Sequence, residues 1–355
     1  MKPSLRGGLL LSFATVFACL LLGEVLDRLR DPDASLWRYP NYIETWAAGW
    51  IDPEEKGVLR YDSELGYEPI PGASGTVNHK PISYSVDGFR IQNLGAPPAQ
   101  GPLILALGDS YTEGWSVTGD ESWPAHLERD TGRRVLNAGV RGYGIDQMVL
   151  RAERLAPRLK PRTIVLAFIG SDIERTVLSF RDFKHKPYFL PAGEGLELHN
   201  VPVPTAPLEG LLVVARRILG YSHLLGTIMR RLGAYDLWYG VNVGTGADGV
   251  VVSCRLMDRF AALARKENAD ALVVAFQQSD DWNQGLARAA VEKRVAAVLA
   301  CAGRAGLATL DTSAAFAAAG ANRDTGAYFV AGHYNDRGNA LAAKLIADAL
   351  KAAKD

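Results

Sequence analysis

The chain has 355 residues, of which 48% are hydrophobic and 22% are charged, the profile of a globular protein with a large core. Its 39 Lys and Arg residues balance its 39 Asp and Glu residues, so no positive surplus favours a nucleic-acid partner. The three cysteines are too few for a disulfide scaffold, and no closely spaced pair matches a zinc site. Composition therefore excludes disordered, collagen-like and metal-finger proteins. The length fits one α/β domain with additions.

The amino-terminal segment predicts a membrane anchor. No charged residue occurs from Gly7 to Gly23, and a helix of that length spans most of a hydrocarbon core of about 30 Å. Lys2 and Arg6 precede this run, so the positive-inside rule places residues 1–6 in the cytoplasm, residues 7–25 in the membrane and the rest across it. A cleaved signal peptide is the alternative. We favour an uncleaved anchor because no small-residue cleavage motif follows the apolar run.

Residues 26–100 predict a membrane-proximal stalk and lead-in segment. They are rich in Pro, Gly, Tyr and Trp and contain short alternating runs that are typical of extended pieces. The aromatic residues from Tyr39 to Trp50 are interpreted as lying at the membrane interface. A proline-rich joint at residues 96–99 separates this segment from the region that follows.

From residue 101 onward, apolar runs alternate with helical patterns. The apolar runs are typical of strands buried on both faces: Leu103–Leu107, Val135–Ala138, Ile164–Phe168, Ala271–Phe276 and Ala308–Leu310. The helical patterns between and after them are Trp123–Arg129, Asp146–Leu155, Val252–Lys266, Leu286–Ala305 and Asn339–Ala353. This alternation predicts an α/β domain over residues 101–355, with a parallel sheet and helices on both faces.

Residues 174–250 interrupt the alternation with extended polar pieces, a Pro-rich patch and a Gly-rich loop. We interpret them as an insertion over one edge of the sheet that covers the site. Four arginines in this insertion are predicted to form a solvated helix face, with an anionic sugar or lipid headgroups as alternative partners: Arg216, Arg217, Arg230 and Arg231.

Two cysteines, Cys254 and Cys301, lie in helical patterns of this domain. The predicted anchor orientation places both in an oxidising compartment. We favour two buried free thiols, and a disulfide between them is the open alternative.

Small and polar residues follow the first three predicted strands, at the edge where open parallel sheets bind ligands. After the first strand, Ser110 can supply both a nucleophilic hydroxyl and an N–H for an oxyanion, although Gly-Asp-Ser is also ordinary turn chemistry. After the second strand, Gly142 can bring its N–H close to an oxyanion because no side chain intervenes. Ser171 follows the third strand. Asp109 and Asp172 are interpreted as residues that fix loop hydrogen bonds.

His333 lies just before the last helical pattern. A neutral imidazole, whose ordinary pKa is about 6.5, can accept a serine proton near pH 7. A lone histidine is usually structural, but four loops of this small, polar kind together favour catalysis.

Four segments, GDSYTEG, NAGVRGYGIDQ, FIGSD and GHYNDRGN, resemble the sequence blocks of the SGNH/GDSL hydrolases in order and in spacing. The resemblance covers residues 101–353. Two earlier segments, LGYEPIPG and VDGFR, resemble the lead-in of membrane-anchored bacterial members. The resemblance implies a three-layer α/β/α, flavodoxin-like fold. It also implies cleavage or transfer of acyl esters on lipids, sugars or polysaccharides, without a metal or an organic cofactor.

Within the family pattern, the resemblance implies that Ser110 is the nucleophile, His333 the general base and Gly142 an oxyanion donor. Two positions depart from this pattern. Ser171 stands where the family has an asparagine that donates to the oxyanion. Val330 and Ala331 stand where the family has an aspartate that orients the histidine.

Several groups are candidates to replace the missing acid: a backbone carbonyl, Asp336, Asp324 and Asp280. We favour a Ser–His dyad enzyme, an esterase or acyltransferase acting on an O-acyl ester of a cell-surface polysaccharide or lipid. It is expected outside the bacterial inner membrane, held by its single anchor. The alternative is a non-catalytic family member that binds glycan in an envelope or exopolysaccharide assembly.

Overall fold

A computed structural model describes residues 5–30, 57–93, 99–182, 184–205, 215, 219–235, 238, 242–279, 288–321 and 323–352, with side chains from Gly7 onward. The chain divides into two compact units. One comprises residues 1–53, 180–184 and 205–243, and the other comprises residues 54–179, 185–204 and 244–355. Some residues singled out from the sequence lie outside the described residues: 39–50, Arg216, Arg217 and Asp280.

The helices with described bounds are α1 (Leu5–Arg30), α2 (Ser110–Glu113), α3 (Trp123–Thr131), α4 (Ile145–Leu159), α5 (Gly170–Arg175), α6 (His223–Arg231), α7 (Gly249–Glu267), α8 (Arg288–Arg304), α9 (Ser313–Ala318) and α10 (Asp336–Ala352). The first strands are β1 (Leu59–Asp62), β2 (Gly66–Pro69), β3 (Ser74–Val77), β4 (Lys80–Ser83), β5 (Ile104–Gly108), β6 (Val135–Asn137), β7 (Thr163–Phe168) and β8 (Leu178–Arg181). The remaining strands are β9 (Lys184–His185), β10 (Tyr188–Ala192), β11 (Gly195–His199), β12 (Asn242–Gly244), β13 (Asp270–Ala275), β14 (Ala308–Asp311), β15 (Phe329–Val330) and β16 (His333–Tyr334).

Helix α1 belongs to the smaller unit and is long and apolar enough to cross a bilayer. Its segment Gly7–Arg30 reaches a mean hydropathy of 2.3, and none of its most apolar stretch is buried in the protein. The helix continues past the predicted span of residues 7–25, because Glu24 and Arg28 form an ion pair one turn apart.

The central sheet of the larger unit has the strand order β14-β13-β7-β5-β6, and its neighbouring strands are parallel. Each predicted apolar run forms one of these strands. The order is that of a flavodoxin-like, doubly wound sheet, in which the chain starts near the centre and fills both sides. The predicted α/β class is therefore confirmed.

Side chains alternate between the two faces of this sheet. Leu105 and Leu107 of β5 pack in one core cluster with residues of α4, α7 and α8. Ile104 and Ala106 pack in a second cluster with residues of α3 and α10. Because both faces are covered, the strands can be apolar throughout. The result is the expected three-layer arrangement.

The lead-in segment forms structure of its own within the larger unit. Strands β1 and β2 form one antiparallel hairpin, and strands β3 and β4 form another. A small core lies beneath them, made of Val58, Leu59, Val77, Ile82 and Tyr84. Arg90 then donates its N–H to the carbonyl of Asn137, 3.0 Å away, which joins the segment to the end of β6.

Part of the predicted insertion packs on a helical layer and not on the sheet edge. Strands β10 and β11 form an antiparallel hairpin whose Phe189 is buried in the core cluster that contains α4 and α7. The guanidinium of Arg259, on α7, lies 5.2 Å from the centre of the Phe189 ring.

The two cysteines of the domain form a disulfide. Cys254 of α7 and Cys301 of α8 have Cα atoms 5.2 Å apart and close a separation of 47 residues. The preference for free thiols was therefore wrong: α7 and α8 pack side by side, which the two helical patterns do not reveal. A cross-link of this loop length stabilises a fold by about 4 kcal/mol.

Candidate active site

Ser110 stands at the first turn after the central strand β5. Asp109 caps the short helix α2, its carboxylate accepting the Tyr111 N–H at 2.9 Å. Gly114 ends the helix one turn later in the left-handed conformation. The serine is therefore held on a tight strand-to-helix turn at the carboxyl edge of the sheet, where 7% of its surface remains exposed.

The structure brings His333 to this serine from 223 residues away. The Nε2 atom of His333 lies 2.8 Å from the hydroxyl oxygen of Ser110. The imidazole is held between two aromatic rings, with its centre 5.0 Å from that of Tyr111 and 4.7 Å from that of Trp115. The two groups expected to form a dyad thus meet in one buried pocket.

The other ring nitrogen of His333 faces a backbone carbonyl. Its Nδ1 atom lies 3.1 Å from the carbonyl oxygen of Ala331, a residue held in the left-handed region at φ +46°. A carbonyl only accepts hydrogen bonds, so this contact assigns the ring proton to Nδ1 and leaves the Nε2 lone pair toward Ser110. The loop itself is held by the Tyr111 hydroxyl, which donates to the Gly332 carbonyl at 2.7 Å.

The described aspartates proposed as orienting acids have other partners. Asp336 lies 2.8 Å from the ring of His126, and Asp324 accepts the N–H of Ala327 at 3.2 Å. Asp336 begins helix α10, three residues after His333. Among the candidates that the structure describes, the backbone carbonyl of Ala331 is the one that faces Nδ1 of His333.

Burial lowers the pKa of His333 below its usual value, because desolvation disfavours the imidazolium ion. The Ala331 carbonyl and the negative charge of Asp109 act in the opposite direction, while the positive charge of Arg175 reinforces the lowering. The neutral imidazole, which can accept a proton, therefore persists to lower pH than in an ordinary histidine.

The residues expected to bind an oxyanion lie on the two neighbouring loops. Because β5 is flanked by β6 and β7, the loop with Gly142 follows one neighbour of the serine strand and Ser171 follows the other. Gly142 has a φ of +80°, a conformation that L side chains rarely adopt. The Ser171 N–H donates to Oε1 of Gln278 at 2.9 Å, so its hydroxyl is the group to consider as an oxyanion donor.

A buried ion pair, which we name the Glu113 clamp, joins the serine loop to the Gly142 loop. It consists of Glu113, Arg141 and Tyr84. The guanidinium of Arg141 donates to the Glu113 carboxylate at 2.8 Å, and the Tyr84 hydroxyl donates to the same carboxylate at 2.5 Å. Arg141 also contacts the Tyr84 oxygen at 2.9 Å. The lead-in segment thus supplies one member of the clamp.

A second buried group, which we name the Arg175 clamp, joins the serine loop to the Ser171 loop. Arg175 donates to Asp172 at 2.6 Å and to Asp109 at 3.1 Å. The aspartates do fix loop hydrogen bonds: Asp172 also accepts the Ile169 N–H at 2.9 Å, as Asp109 does that of Tyr111.

Sequence reasoning missed the cations of both clamps. Glu113 and Arg141 lie inside the motifs quoted above, and a charged residue within a short glycine-rich segment after a buried strand is a usable signal. The pairs that join two loops have no local signature, because Arg141 lies 28 residues from Glu113 and Arg175 lies 66 residues from Asp109.

Among the described residues, no group of three or more His, Cys, Asp or Glu side chains is arranged to hold a metal ion.

No curated protein sequence matches the chain. In the solved structures, a lipolytic protein of the G-D-S-L family from Veillonella parvula is 15% identical, over 69% of this chain and 96% of its own, with a TM-score of 0.43. A catalytic mutant of the acetylxylan esterase Axe2 from Geobacillus stearothermophilus is 14% identical, over 70% of this chain and 94% of its own, with a TM-score of 0.39.

The sequence profile of the GDSL-like lipase/acylhydrolase family matches residues 106–341. This range begins in β5 and ends in α10, so it contains all four of the loops described above. Because the match spans more than half of the chain, the protein belongs to the GDSL-like lipase/acylhydrolase family of ester hydrolases.

Proposed function

We propose that the protein is a membrane-anchored serine esterase or acyltransferase that works through an acyl-enzyme on Ser110. The observation that carries the proposal is the 2.8 Å contact between the Ser110 hydroxyl and Nε2 of His333. This distance is within reach for direct proton transfer. Both groups are buried, so their interaction is not screened by water.

The reaction follows from this geometry. The Ser110 oxygen attacks the ester carbonyl carbon while its proton moves to Nε2 of His333. The N–H groups of Ser110 and Gly142, with the Ser171 hydroxyl, stabilise the oxyanion. When the tetrahedral intermediate collapses, the alcohol leaves with the proton from Nε2. Water or a sugar hydroxyl, deprotonated by the same imidazole, then attacks the acyl-enzyme and releases Ser110.

The Ala331 carbonyl supports this role for His333 without an acid. In a serine protease, exchange of the triad carboxylate for an amide lowers kcat about 10⁴-fold, because the histidine adopts the wrong tautomer. A carbonyl preserves the correct tautomer, since it accepts only. A neutral carbonyl stabilises the imidazolium ion less than a carboxylate at the same position would, so a modest kcat is expected.

An O-acylated polysaccharide is the preferred substrate. A cleft of about 670 Å³ lies at the carboxyl ends of β7, β13 and β14, and one of its lining residues is Gly170, which precedes Ser171 in the chain. Its walls combine amides and charges with apolar groups: Gln277, Gln278, Arg288, Glu292, Phe276 and Val291. Such mixed walls suit the hydroxyls and apolar faces of a sugar better than a long acyl chain, which keeps an acyl lipid as the second choice.

An extracytoplasmic site outside a bacterial inner membrane is part of the proposal. The apolar helix α1 and the two basic residues before it support that orientation. The disulfide between Cys254 and Cys301 supports it independently, because disulfides persist in oxidising compartments.

The test is hydrolysis of p-nitrophenyl acetate by the full chain in detergent, together with labelling by a fluorophosphonate probe. We expect wild-type protein to turn over the ester and to be labelled, and Ser110→Ala to lose both. Ser253→Ala is the matched control, because Ser253 is fully buried in α7 and lies outside the proposed site. Equal turnover by Ser110→Ala and wild type would remove Ser110 from the mechanism.

The non-catalytic alternative gives the opposite pattern. It predicts no labelling of wild-type protein, together with measurable binding to surface glycans.

Hydrolysis and transfer are separated by adding an acylated donor and a glycan acceptor and comparing the release of free acid with acylation of the acceptor.

A further inference from the structure

Helix α6 is joined to the end of the anchor helix α1 within the smaller unit. The Glu24 carboxylate of α1 accepts the Ser222 hydroxyl at 2.8 Å and the Leu224 N–H at 3.0 Å, so it caps the first turn of α6. One turn further along α1, Asp27 accepts the Thr227 hydroxyl at 2.7 Å. Two carboxylates therefore fix the first half of α6 to α1.

A close approach at Gly23 sets the level of this contact. A Cβ atom on Gly23 would lie 2.9 Å from Cδ2 of Leu224, a contact that movement of the Leu224 side chain can relieve, so only a residue as bulky as leucine is expected to push the helices apart. The uncharged run of α1 begins at Gly7 and ends at Gly23, a rise of about 25 Å. Helix α6 thus contacts α1 at the end of its uncharged run, where the first charged residue, Glu24, follows Gly23. If α1 spans the bilayer, this point lies at the level of the lipid headgroups.

A side of α6 next to the one that faces α1 carries an apolar stripe. Leu224 and Thr227 face α1, and four apolar residues follow the i, i+3, i+4, i+7 pattern elsewhere on the helix: Leu225, Ile228, Met229 and Leu232. Leu232 is 70% exposed and Ile228 is 41% exposed. The exposed residues Arg230 and Arg231 lie outside this stripe, toward the polar side of the helix.

We propose that α6 is an interfacial helix, whose apolar stripe enters the headgroup boundary of an anionic bilayer while Arg230 and Arg231 contact lipid phosphates. The inference rests on the proposed function, because it requires that α1 spans the membrane. An amphipathic helix with arginines on its polar side binds a lipid surface in this way. Because α6 is attached to α1 at the level of the headgroups, the bilayer around α1 is what we expect to cover the apolar stripe of α6.

The experiment uses the full chain in vesicles of phosphatidylcholine and phosphatidylglycerol, with one environment-sensitive fluorophore at a time. The background carries Cys19→Ser, because Cys19 is free and exposed whereas the other two cysteines form the disulfide. The fluorophore is attached at Phe13→Cys, Leu232→Cys or Val86→Cys, and nitroxide lipids labelled near the headgroup or deep in the acyl chain quench it. Val86 is the control, since it is 84% exposed in the larger unit.

We expect deep nitroxides to quench the label at position 13. Shallow nitroxides are expected to quench the label at position 232 by at least twofold. Neither kind of nitroxide is expected to quench the label at position 86. Quenching at position 13 without quenching at position 232 overturns the interfacial helix while the anchor stands, and indicates that solvent or a protein partner covers the stripe. No quenching at position 13 overturns the anchor and this inference with it.

Matched variants test the docking and the charges. Gly23→Leu is expected to abolish shallow quenching at position 232, and Gly8→Leu to preserve it, because a Cβ at Gly8 meets nothing within 4 Å. Replacing Arg230 and Arg231 with glutamine is expected to remove the extra quenching that phosphatidylglycerol gives over pure phosphatidylcholine. Equal quenching in both lipids for the wild-type chain contradicts the role of the arginines.

Discussion

Two sets of buried charges in the larger unit differ in what they join. The Glu113 clamp connects the loop that carries Ser110 to the loop that carries Gly142. By contrast, Lys186 reaches Asp146 at the start of α4, and both side chains are almost fully buried. This second pair holds the segment before the β10–β11 hairpin to a helix end. We therefore expect the first set of charges to hold the geometry of the site and the second to contribute to stability alone.

The largest effect is expected from Glu113→Gln, which keeps the shape of the side chain and removes its charge. Arg141 is then buried without its anionic partner, so the free energy of unfolding falls by about 3–5 kcal/mol. The Gly142 loop also loses its tie to Ser110, and a displacement of about 1 Å there lowers kcat about 10²-fold. Urea unfolding and kcat with p-nitrophenyl acetate, at a temperature where the variant is folded, measure the two effects. A normal kcat would show that the clamp serves only stability.

The Lys186→Met variant is the counterpart, with the same expected loss of about 3–5 kcal/mol because Asp146 stays buried without a cation. Its kcat is expected to remain near wild type at a temperature where it is folded. The double variant Lys186→Met, Asp146→Asn should recover most of the stability, since no charge is then buried. A large drop in kcat for the folded single variant would erase the distinction between the two sets of charges.

The same pair makes stability depend on pH in a stated direction. Burial raises the pKa of Asp146 from 3.8 to about 6, and the positive charge of Lys186 opposes that rise. The folded carboxyl therefore binds its proton at higher pH than the unfolded one. Its favourable contribution is present at low pH and is lost as the pH rises through about 6. Lys186→Met should raise this pKa further, so its stability deficit in urea unfolding should shrink as the pH is lowered from 8 to 6.

The pH profile of kcat/KM gives a smaller but sharper contrast. Burial lowers the pKa of His333, so the acid limb for the wild type should have its midpoint below pH 6.5, where neutral imidazole begins to be lost. The negative charge of Glu113 raises the pKa of His333, so Glu113→Gln should move the limb to still lower pH. Lys186→Met should leave it in place. A limb above pH 6.5 in the wild type would contradict the buried histidine as the base.

Tyr84→Phe is expected to have the smallest effect. Burial and the neighbouring Glu113 charge raise the pKa of Tyr84 well above 10, so its hydroxyl remains a donor throughout the assay range. Its removal deletes the two hydrogen bonds that Tyr84 makes in the clamp and leaves the ion pair, which should cost about 1.5–3 kcal/mol of unfolding free energy. Activity close to wild type would show that the Glu113–Arg141 pair, and not Tyr84, holds the two loops.

The residues of the site that directly follow strands could be predicted from the sequence, because the ends of the apolar runs mark the ends of the strands. Ser110, Gly142 and Ser171 each follow a short apolar run, and the ends of neighbouring parallel strands meet at one edge of a sheet. His333 was proposed from its position just before the last helical pattern and then from the family resemblance, although nothing local pairs it with a serine 223 residues earlier. The acceptor for its second nitrogen was one of four open candidates. A backbone carbonyl has no sequence signature, since every residue carries one.

By itself, the sequence determined the order of strands and helices, the apolar amino-terminal helix and the four loops with polar residues. These features depend on local periodicity and on where apolar runs stop, and both can be read along the chain. Only the tertiary structure decided that Ala331 faces His333, that Cys254 bonds to Cys301, and that charged residues pair across the loops. Such pairings depend on which elements become neighbours when helices cover the two faces of the sheet. Burial then makes an unpaired charge costly, so each buried charge requires its particular partner.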